Sequence, residues 1–150
     1  MSEHSSERRG EFDLSTDRAR LDRALIHRFL SEQSYWARGV PRAVVDCALE
    51  HSLCFGVYRD VAQVAFARVV TDRATFAYLA DVFVLPEWRA HGLGQWMIGV
   101  IVRHPELQGL RRFLLATKDA HGLYARFGFT PLANPARFLE RFDQDVYARR

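Results

Sequence analysis

At 150 residues the chain matches the usual size of one domain and is long enough to bury a core. With 49% apolar and 26% charged residues it has a globular composition, and no apolar run reaches the ~18 residues that a membrane helix needs, so we expect no membrane partner. The net charge of +3 comes from 21 basic and 18 acidic residues spread along the chain, without a basic stripe, so we expect no nucleic-acid partner.

The polar N-terminus, MSEHSSERRG, lacks the apolar core of an export signal. We expect residues 1–10 to be a disordered leader and residues 11–150 to form a single domain. Cys47 and Cys54 are too few and too close for the disulfide framework of a secreted protein, so we expect both to be reduced and buried. These features favour the cytoplasm.

The first third of the chain predicts a strand and two helices. Residues 11–15 alternate between polar and apolar, and a helix capped by Ser15 or Thr16 should follow and end near Ser31. Pro41 fits the first position of the second helix. The expected inward faces are Leu21, Ala24, Leu25 and Phe29 in the first helix, and Val44, Val45, Ala48 and Leu49 in the second.

The middle of the chain changes to a period of two, which indicates strands. Residues 52–58, 61–70 and 75–85 predict an antiparallel meander. A helix from Gly92, ended by Pro105, should then cross one face of the sheet; its apolar stripe is Leu93, Trp96, Met97, Val100 and Ile101.

The last third predicts one buried strand, one short helix and two final strands. The run at 112–117 follows a crossover helix, which implies parallel pairing with the strand at 75–85. A short helix is expected at 120–127, and strands are expected at 129–132 and 137–140.

The turn between Pro86 and the helix from Gly92 is the strongest local signal. A strand, a glycine-containing turn and a helix together direct free N–H groups and a helix dipole at one point, where an anion such as a diphosphate can bind. A P-loop needs Lys and then Ser or Thr after its second glycine, but Gly94 is followed by Gln95-Trp96. A dinucleotide fingerprint needs a third glycine where this chain has Met97, so neither motif fits.

Arg89-x-x-Gly92-x-Gly94 instead resembles the pyrophosphate loop of the GCN5-related N-acetyltransferases, the GNAT superfamily. The run Tyr124-Ala125-Arg126-Phe127-Gly128-Phe129 resembles the second signature of that family, in the same order and at a similar interval. The resemblance extends over roughly residues 12–142. It implies an α/β fold with a mostly antiparallel sheet, in which the parallel strands at 75–85 and 112–117 splay apart.

The resemblance also implies acetyl-coenzyme A as cofactor, with its pantetheine arm paired to the strand at 75–85 as a peptide would be. Family loops often carry Gly and a basic residue where this chain has Ala90 and His91, which can weaken phosphate contact. The implied cofactor-binding residues are Phe83 and Val84, through their backbone groups, and Arg89, Ala90, His91, Gly92, Leu93, Gly94 and Gln95.

For catalysis, the resemblance implies Tyr124 as the general acid that protonates the leaving thiolate. Asp81 could hold the incoming ammonium or accept its proton, directly or through water. Alternatively Asp81 is structural and a water chain takes the proton, as in many members of the family; these alternatives stay open. Asp119 stands near a position where the family commonly has asparagine, and we expect it to cap the following helix.

The aromatic pair Tyr35 and Trp36 falls in the loop that covers the acceptor site in this family, and Tyr78 lies on a neighbouring strand. Aromatic faces beside Asp81 favour a cationic amine, although core packing is an alternative for Tyr78 and Phe66. The histidines lack the spacing of metal ligands, so no metal is expected.

Together these features predict an N-acetyltransferase that joins acetyl-coenzyme A and a primary amine in a ternary complex. The acceptor is expected to be a small-molecule or peptide amine, and the resemblance allows a homodimer. The alternative is a non-catalytic module that binds an acyl-coenzyme A as a sensor or partner domain.

Overall fold

The computed structural model describes residues 4–149, so the first three residues of the predicted leader lie outside the described part. Six strands form one sheet in the order β1-β2-β3-β4-β5-β6. The strands are β1 (Ser6–Arg9), β2 (Phe12–Ser15), β3 (Leu53–Arg59), β4 (Ala62–Thr71), β5 (Phe76–Val84) and β6 (Arg112–Leu115). The helices are α1 (Arg23–Arg28), α2 (Arg42–Glu50), α3 (Leu93–Val102) and α4 (His121–Ala125).

All neighbouring strands are antiparallel except β5 and β6, which are parallel, so the predicted α/β fold with a mostly antiparallel sheet is confirmed. Within the described residues no helix is both long and apolar enough to cross a lipid bilayer.

The prediction of a disordered leader is wrong for Ser6–Arg9, which pair with β2 through a turn at Gly10. All four strand residues are exposed, so no apolar pattern marks this strand in the sequence. Contacts with residues far away in the sequence hold β1 in place. Glu7 Oε1 accepts hydrogen bonds from Trp96 Nε1 at 3.1 Å and from Arg103 Nη2 at 2.9 Å.

The first helix begins later than predicted. Its cap is Asp22, whose Oδ1 accepts a hydrogen bond from Leu25 N at 3.1 Å, and not Ser15 or Thr16. An extended residue, Leu21, separates a 3₁₀ turn at 18–20 from α1 and changes the phase of the helix. The buried face is therefore Ile26, Phe29 and Leu30, while Ala24 is exposed.

Helices cover both faces of the sheet. On one face α3 buries Leu93, Trp96, Met97, Ile98, Val100 and Ile101, which confirms the predicted stripe. On the other face α1 and α2 pack on Phe66 and Phe83, with the Phe29 and Phe83 rings stacked at 4.0 Å. Helix α2 begins at Arg42 and buries Val45 and Leu49; Pro41 is its extended cap residue, one position before the predicted first helical position.

The parallel strands separate, as the resemblance implies. Pairing between β5 and β6 runs only from Phe76 opposite Arg112 to Leu79 opposite Leu115, although β5 continues to Val84. A wedge therefore opens between the carboxyl-terminal half of β5 and the chain that follows β6.

The two final strands that the sequence predicts are absent from the described residues. Residues 129–149 contain only 3₁₀ turns, at Pro135–Arg137 and Val146–Arg149. Pro131 and Pro135 have no N–H to donate to a sheet ladder, which explains why the short alternating runs beside them do not pair. Helix α4 is also shorter than the predicted 120–127.

Candidate functional site

Strand β5 contains a bulge close to the point where it leaves β6. Between the opposed pairs 66–83 and 68–80, the single residue Ala67 of β4 faces both Asp81 and Val82 of β5. Asp81 has φ of 54°, a left-handed conformation that aspartate tolerates better than most residues. The bulge leaves its extra residue outside the β4–β5 ladder. On the other edge of β5, backbone groups are available beside the wedge because β6 does not pair beyond Leu79.

The Asp81 carboxylate is hydrogen-bonded through both oxygens. Oδ1 accepts from Trp36 Nε1 at 2.8 Å, and Oδ2 accepts from Arg68 Nε at 2.7 Å. The Arg68 and Asp81 side chains are only 19% and 12% exposed, so water screens the attraction between their charges less than it would on an open surface. Arg68 Nη1 also donates to Ser52 Oγ at 3.1 Å.

A cleft of about 740 Å³ occupies the wedge. The predicted acceptor residues Tyr35, Trp36 and Tyr78 all line it, together with Asp81 and Tyr124. The structure therefore brings together five residues that the sequence analysis selected from three separate segments: the loop with Tyr35 and Trp36, strand β5 and helix α4. The helix side of the cleft is apolar and includes Leu30, Val40, Val44, Val45, Ala48 and Leu49.

The aromatic loop contacts both sides of the wedge. Tyr35 Oη accepts a hydrogen bond from Lys118 N at 3.1 Å, in the segment after β6, while the next residue, Trp36, reaches Asp81 on β5. The Lys118 ammonium lies 5.4 Å from the centre of the Tyr35 ring. Adjacent side chains thus tie the loop to both edges of the cleft.

Tyr124 is 8% exposed and lies on α4 between two clefts. The second cleft, of about 990 Å³, follows β6 and the residues after α4. Burial raises the pKa of the Tyr124 phenol, and the nearby Tyr35 phenol adds to the increase. Tyr124 therefore keeps its proton at neutral pH.

The loop at 89–94 has the backbone of an anion cradle. Ala90 and Gly92 are left-handed, with φ of 70° and 73°, and no side chain caps the N-terminus of α3. The first N–H groups of a helix have no partner within the helix and carry its positive dipole end. Arg89 Nε donates to Val84 O at 3.1 Å, which ties the loop to the end of β5. This arrangement suits a diphosphate.

Several of the predicted cofactor residues have side chains that contact other parts of the protein. Phe83 is 4% exposed and packs in the core beneath α1 and α2, so only its backbone groups can contact a ligand. The His91 ring lies 5.8 Å from Phe12 and 6.0 Å from Trp88, centre to centre. Ala90, Gly92 and Gln95 are exposed, whereas the Leu93 side chain belongs to the core.

Asp119 does not cap α4, so that prediction is wrong. The residue before the helix is Ala120, whose N–H donates to Thr117 Oγ1 at 3.1 Å. Asp119 does line the wedge cleft, with Thr117 and Lys118. The segment 117–119 therefore contributes polar groups to the site that the sequence analysis did not select.

Both cysteines are free, as predicted, but only Cys54 is buried, so the expectation of burial is wrong for Cys47. Burial raises the pKa of the Cys54 thiol to about 11. Neither cysteine lines the wedge cleft. Within the described residues no cluster of three or more histidine, cysteine, aspartate or glutamate side chains has the geometry of a metal site.

Sequence reasoning missed Arg68 and Ser52. Arg68 contacts Asp81 through the β4–β5 register, and Ser52 contacts Arg68 in turn. An arginine in an alternating strand pattern is otherwise indistinguishable from a solvent-facing one, so no signal in the sequence singles out Arg68.

Comparisons with known proteins agree on one family. The family model of the acetyltransferase (GNAT) domain matches residues 50–131, which include every predicted site residue except Tyr35 and Trp36. An inferred acetyltransferase of Gibberella zeae is 35% identical over 140 residues, covering 79% of this chain and 78% of that protein.

Solved structures give the same result. A Xanthomonas campestris protein assigned to the GNAT family is 55% identical, with a TM-score of 0.90, covering 91% of this chain and 96% of the other. An inferred acetyltransferase of Deinococcus radiodurans has a TM-score of 0.70 at 20% identity, covering 96% and 97% of the two chains, and supports the fold alone.

Proposed function

Because the chain belongs to the GNAT family of acetyltransferases, we propose that it transfers the acetyl group of acetyl-coenzyme A to a primary amine. The observation that carries this proposal is the wedge cleft, where Tyr124, Asp81 and the aromatic loop residues line one space beside an open stretch of β5.

The residues present fit acetyl-coenzyme A. The left-handed positions and uncapped α3 terminus at 89–95 supply N–H groups for a diphosphate. Beyond Leu79, β5 has no β6 partner, so backbone groups at 80–84 can pair with the pantetheine amides. We assign Phe83 and Val84 to this role through their backbone, and Arg89, Ala90, His91, Gly92, Leu93, Gly94 and Gln95 to the diphosphate loop.

Bound there, acetyl-coenzyme A supplies the acetyl group: a C–N bond forms to the amine as the C–S bond breaks, the nitrogen loses one proton and the sulfur gains one. Backbone N–H groups near the bulge are candidates to stabilise charge on the carbonyl oxygen. No covalent enzyme intermediate is needed, and neither cysteine is placed to form one.

Tyr124 is the proposed proton donor to the sulfur. Its raised pKa keeps it protonated, and its position between the clefts gives it access to the wedge. An ordinary phenol has a pKa of ~10 and a thiol ~8.5, so the transfer is slightly uphill and assists the reaction rather than supplying most of its acceleration.

The acceptor is proposed to be a small-molecule or peptide amine that lies against Tyr35, Trp36 and Tyr78. These rings and the apolar α1–α2 side of the cleft suit an amine attached to an apolar body. Removal of the amine proton falls either to Asp81 or to a water chain.

Thermal melting and thiol release together test this function. Acetyl-coenzyme A at ~100 times its dissociation constant should add ~2.7 kcal/mol of stability. With an amine panel, the wild type should release free thiol, and Tyr124→Phe should keep the melting shift while its kcat falls by about 10²-fold. Tyr147→Phe, which removes another hydroxyl from the same cleft, is the matched control.

The outcomes separate the two candidate functions. A melting shift without thiol release across a chemically broad amine panel would favour the non-catalytic sensor. Absence of a melting shift would leave neither function tenable.

A further inference from the structure

We propose that Asp81 is a positioning residue, locked by Arg68 and Trp36 to hold the β5 bulge and the acceptor loop, and that it does not accept the amine proton. This inference rests on the proposed acetyl transfer and assigns Arg68, which no sequence signal selects, as the second positioning residue.

The first support is that both oxygens of the Asp81 carboxylate accept a hydrogen bond from another side chain. Trp36 Nε1 donates to one oxygen at 2.8 Å and Arg68 Nε donates to the other at 2.7 Å. The Arg68 side chain is only 19% exposed, so the Asp81 carboxylate is needed in place as its counter-charge.

The second support is the backbone. Asp81 is the left-handed residue of the bulge, with φ of 54°, at the point where β5 leaves β6. Left-handed non-glycine residues persist where surrounding contacts over-determine them. Here the contacts come from the neighbouring strand through Arg68 and from the acceptor loop through Trp36. The side chain thus fixes the shape of the strand that we propose carries the cofactor.

The third support is that Arg68 is itself held at two points. Its Nε donates to Asp81, and its Nη1 donates to Ser52 Oγ at 3.1 Å at the start of β3. Ser52 is 4% exposed. A planar guanidinium carries its donors on separate nitrogens in a fixed geometry and so reaches both acceptors at once, whereas the three donors of a lysine all lie on one nitrogen. The contacts among Ser52, Arg68 and Asp81 therefore form a brace between β3, β4 and β5.

The consequence for the reaction is a loop that depends on the brace. Trp36 contacts Asp81, and Tyr35 contacts Lys118 on the other side of the wedge. If the brace is removed, the Trp36 side chain loses the support of its hydrogen bond to Asp81, while Tyr35 keeps its hydrogen bond from Lys118 N. The acceptor wall should then loosen, and affinity for the acceptor should fall more than the rate of the chemical step.

A double-mutant cycle with Asp81→Asn and Arg68→Gln tests the proposal. Each single variant should raise KM for the amine about tenfold and change kcat by less than about threefold, with the acid limb of the kcat profile at the wild-type pH. The double variant should be no worse than either single one, because both partners of the pair are then gone. Arg68→Lys should recover only part of the loss.

Arg73→Gln is the matched control. Arg73 Nε pairs with Glu106 Oε2 at the same 2.7 Å, but these side chains are 45% and 31% exposed and lie outside the wedge cleft, so loss of the pair should leave KM and kcat unchanged. The proposal is overturned if Asp81→Asn lowers kcat by 10²-fold or more and abolishes the acid limb, while Arg68→Gln keeps kcat.

A second measurement keeps this inference separate from the proposed function. If the wild type releases no thiol with any amine, acetyl transfer fails, but the brace can still be tested by amide hydrogen exchange. Asp81→Asn and Arg68→Gln should both speed exchange at residues 34–39 and 80–83, and Arg73→Gln should not. Unchanged exchange in both variants would reject the brace.

Discussion

Left-handed glycines are the single residues that most directly test the proposed diphosphate loop. Gly92 and Gly10 have φ of 73° and 59°, and a Cβ built on either meets no atom within 4 Å. The two glycines are therefore equivalent in strain and in space. They differ in position, since Gly92 precedes α3 and Gly10 joins β1 to β2.

We expect Gly92→Ala and Gly10→Ala each to lower the free energy of unfolding by about 1–2 kcal/mol, the cost of a left-handed alanine. Only Gly92→Ala should also weaken acetyl-coenzyme A binding, because it disturbs the N–H groups of the loop. Urea unfolding and titration calorimetry measure the two effects. Equal dissociation constants for both variants would contradict the loop assignment.

The sequence indicates the role of a residue only where that residue belongs to a short local motif. Tyr124 and Gly92 lie in short motifs, and the resemblance of those motifs to the GNAT signatures led to the prediction that they share one site with Asp81. Arg68 lies 13 positions from Asp81, and Trp36 lies 45 positions from it. Their hydrogen bonds depend on the strand register and on a loop conformation, and neither follows from local residue preferences.

Among the elements, the turn between β4 and β5 shows how one carboxylate can organise a connection. Asp72 Oδ1 accepts from the N–H groups of Ala74 at 2.9 Å and Thr75 at 2.8 Å, and Oδ2 accepts from Thr75 Oγ1 at 2.7 Å. These bonds, first that from the Thr75 hydroxyl, hold the pKa of Asp72 well below its usual value.

A pKa that is lower in the folded state stabilises the protein above the unfolded pKa of ~3.9 and loses that effect as the pH falls toward the folded value. We therefore expect Asp72→Asn to lower Tm at pH 7 and the difference from wild type to shrink steadily below pH ~4. Calorimetry between pH 7 and pH 2.5 measures it.

Asp60→Asn is the control for that experiment. Asp60 occupies the neighbouring turn, with φ of 53°, and asparagine also tolerates this conformation. Its effect on Tm at pH 7 gives the cost of the same substitution at a neighbouring turn position. A pH-independent effect of Asp72→Asn would show that the charge of Asp72 does not matter.

Prediction of whole elements succeeded where apolar periodicity is strong. It failed where polar contacts or prolines determine whether a segment forms a strand. The α3 stripe and the central meander have clear periods of 3.6 and 2, and both are confirmed. Strand β1 has no apolar face, so its pairing with β2 could not be read from composition. The runs beside Pro131 and Pro135 alternate, but they lack the donors that a ladder needs.

The whole molecule has two apolar cores that share one sheet. Ile98 of α3 belongs to one core and Ile26 of α1 to the other, and both are fully buried. Because the strands between them contribute side chains to both faces, damage to one core should be transmitted to the other. One cooperative unfolding unit is the expected result.

We expect Ile98→Ala and Ile26→Ala each to cost about 2–5 kcal/mol and to unfold in a single transition. Val61→Ala, at a site 98% exposed, should change the free energy of unfolding by no more than ~0.5 kcal/mol. Urea unfolding followed by circular dichroism and by tryptophan fluorescence gives the comparison. Two separated transitions in either isoleucine variant would mean that the cores unfold independently.

Lys118 is the one lysine in the chain, and its ammonium rests against the Tyr35 ring at the rim of the wedge. An amine-reactive dye used at limiting concentration would therefore attach at this rim and, besides it, only to a terminal amine. No engineered cysteine is needed to obtain a fluorophore there. Single-molecule recordings of its quenching by Tyr35 and Trp36 could follow each opening of the aromatic loop in real time.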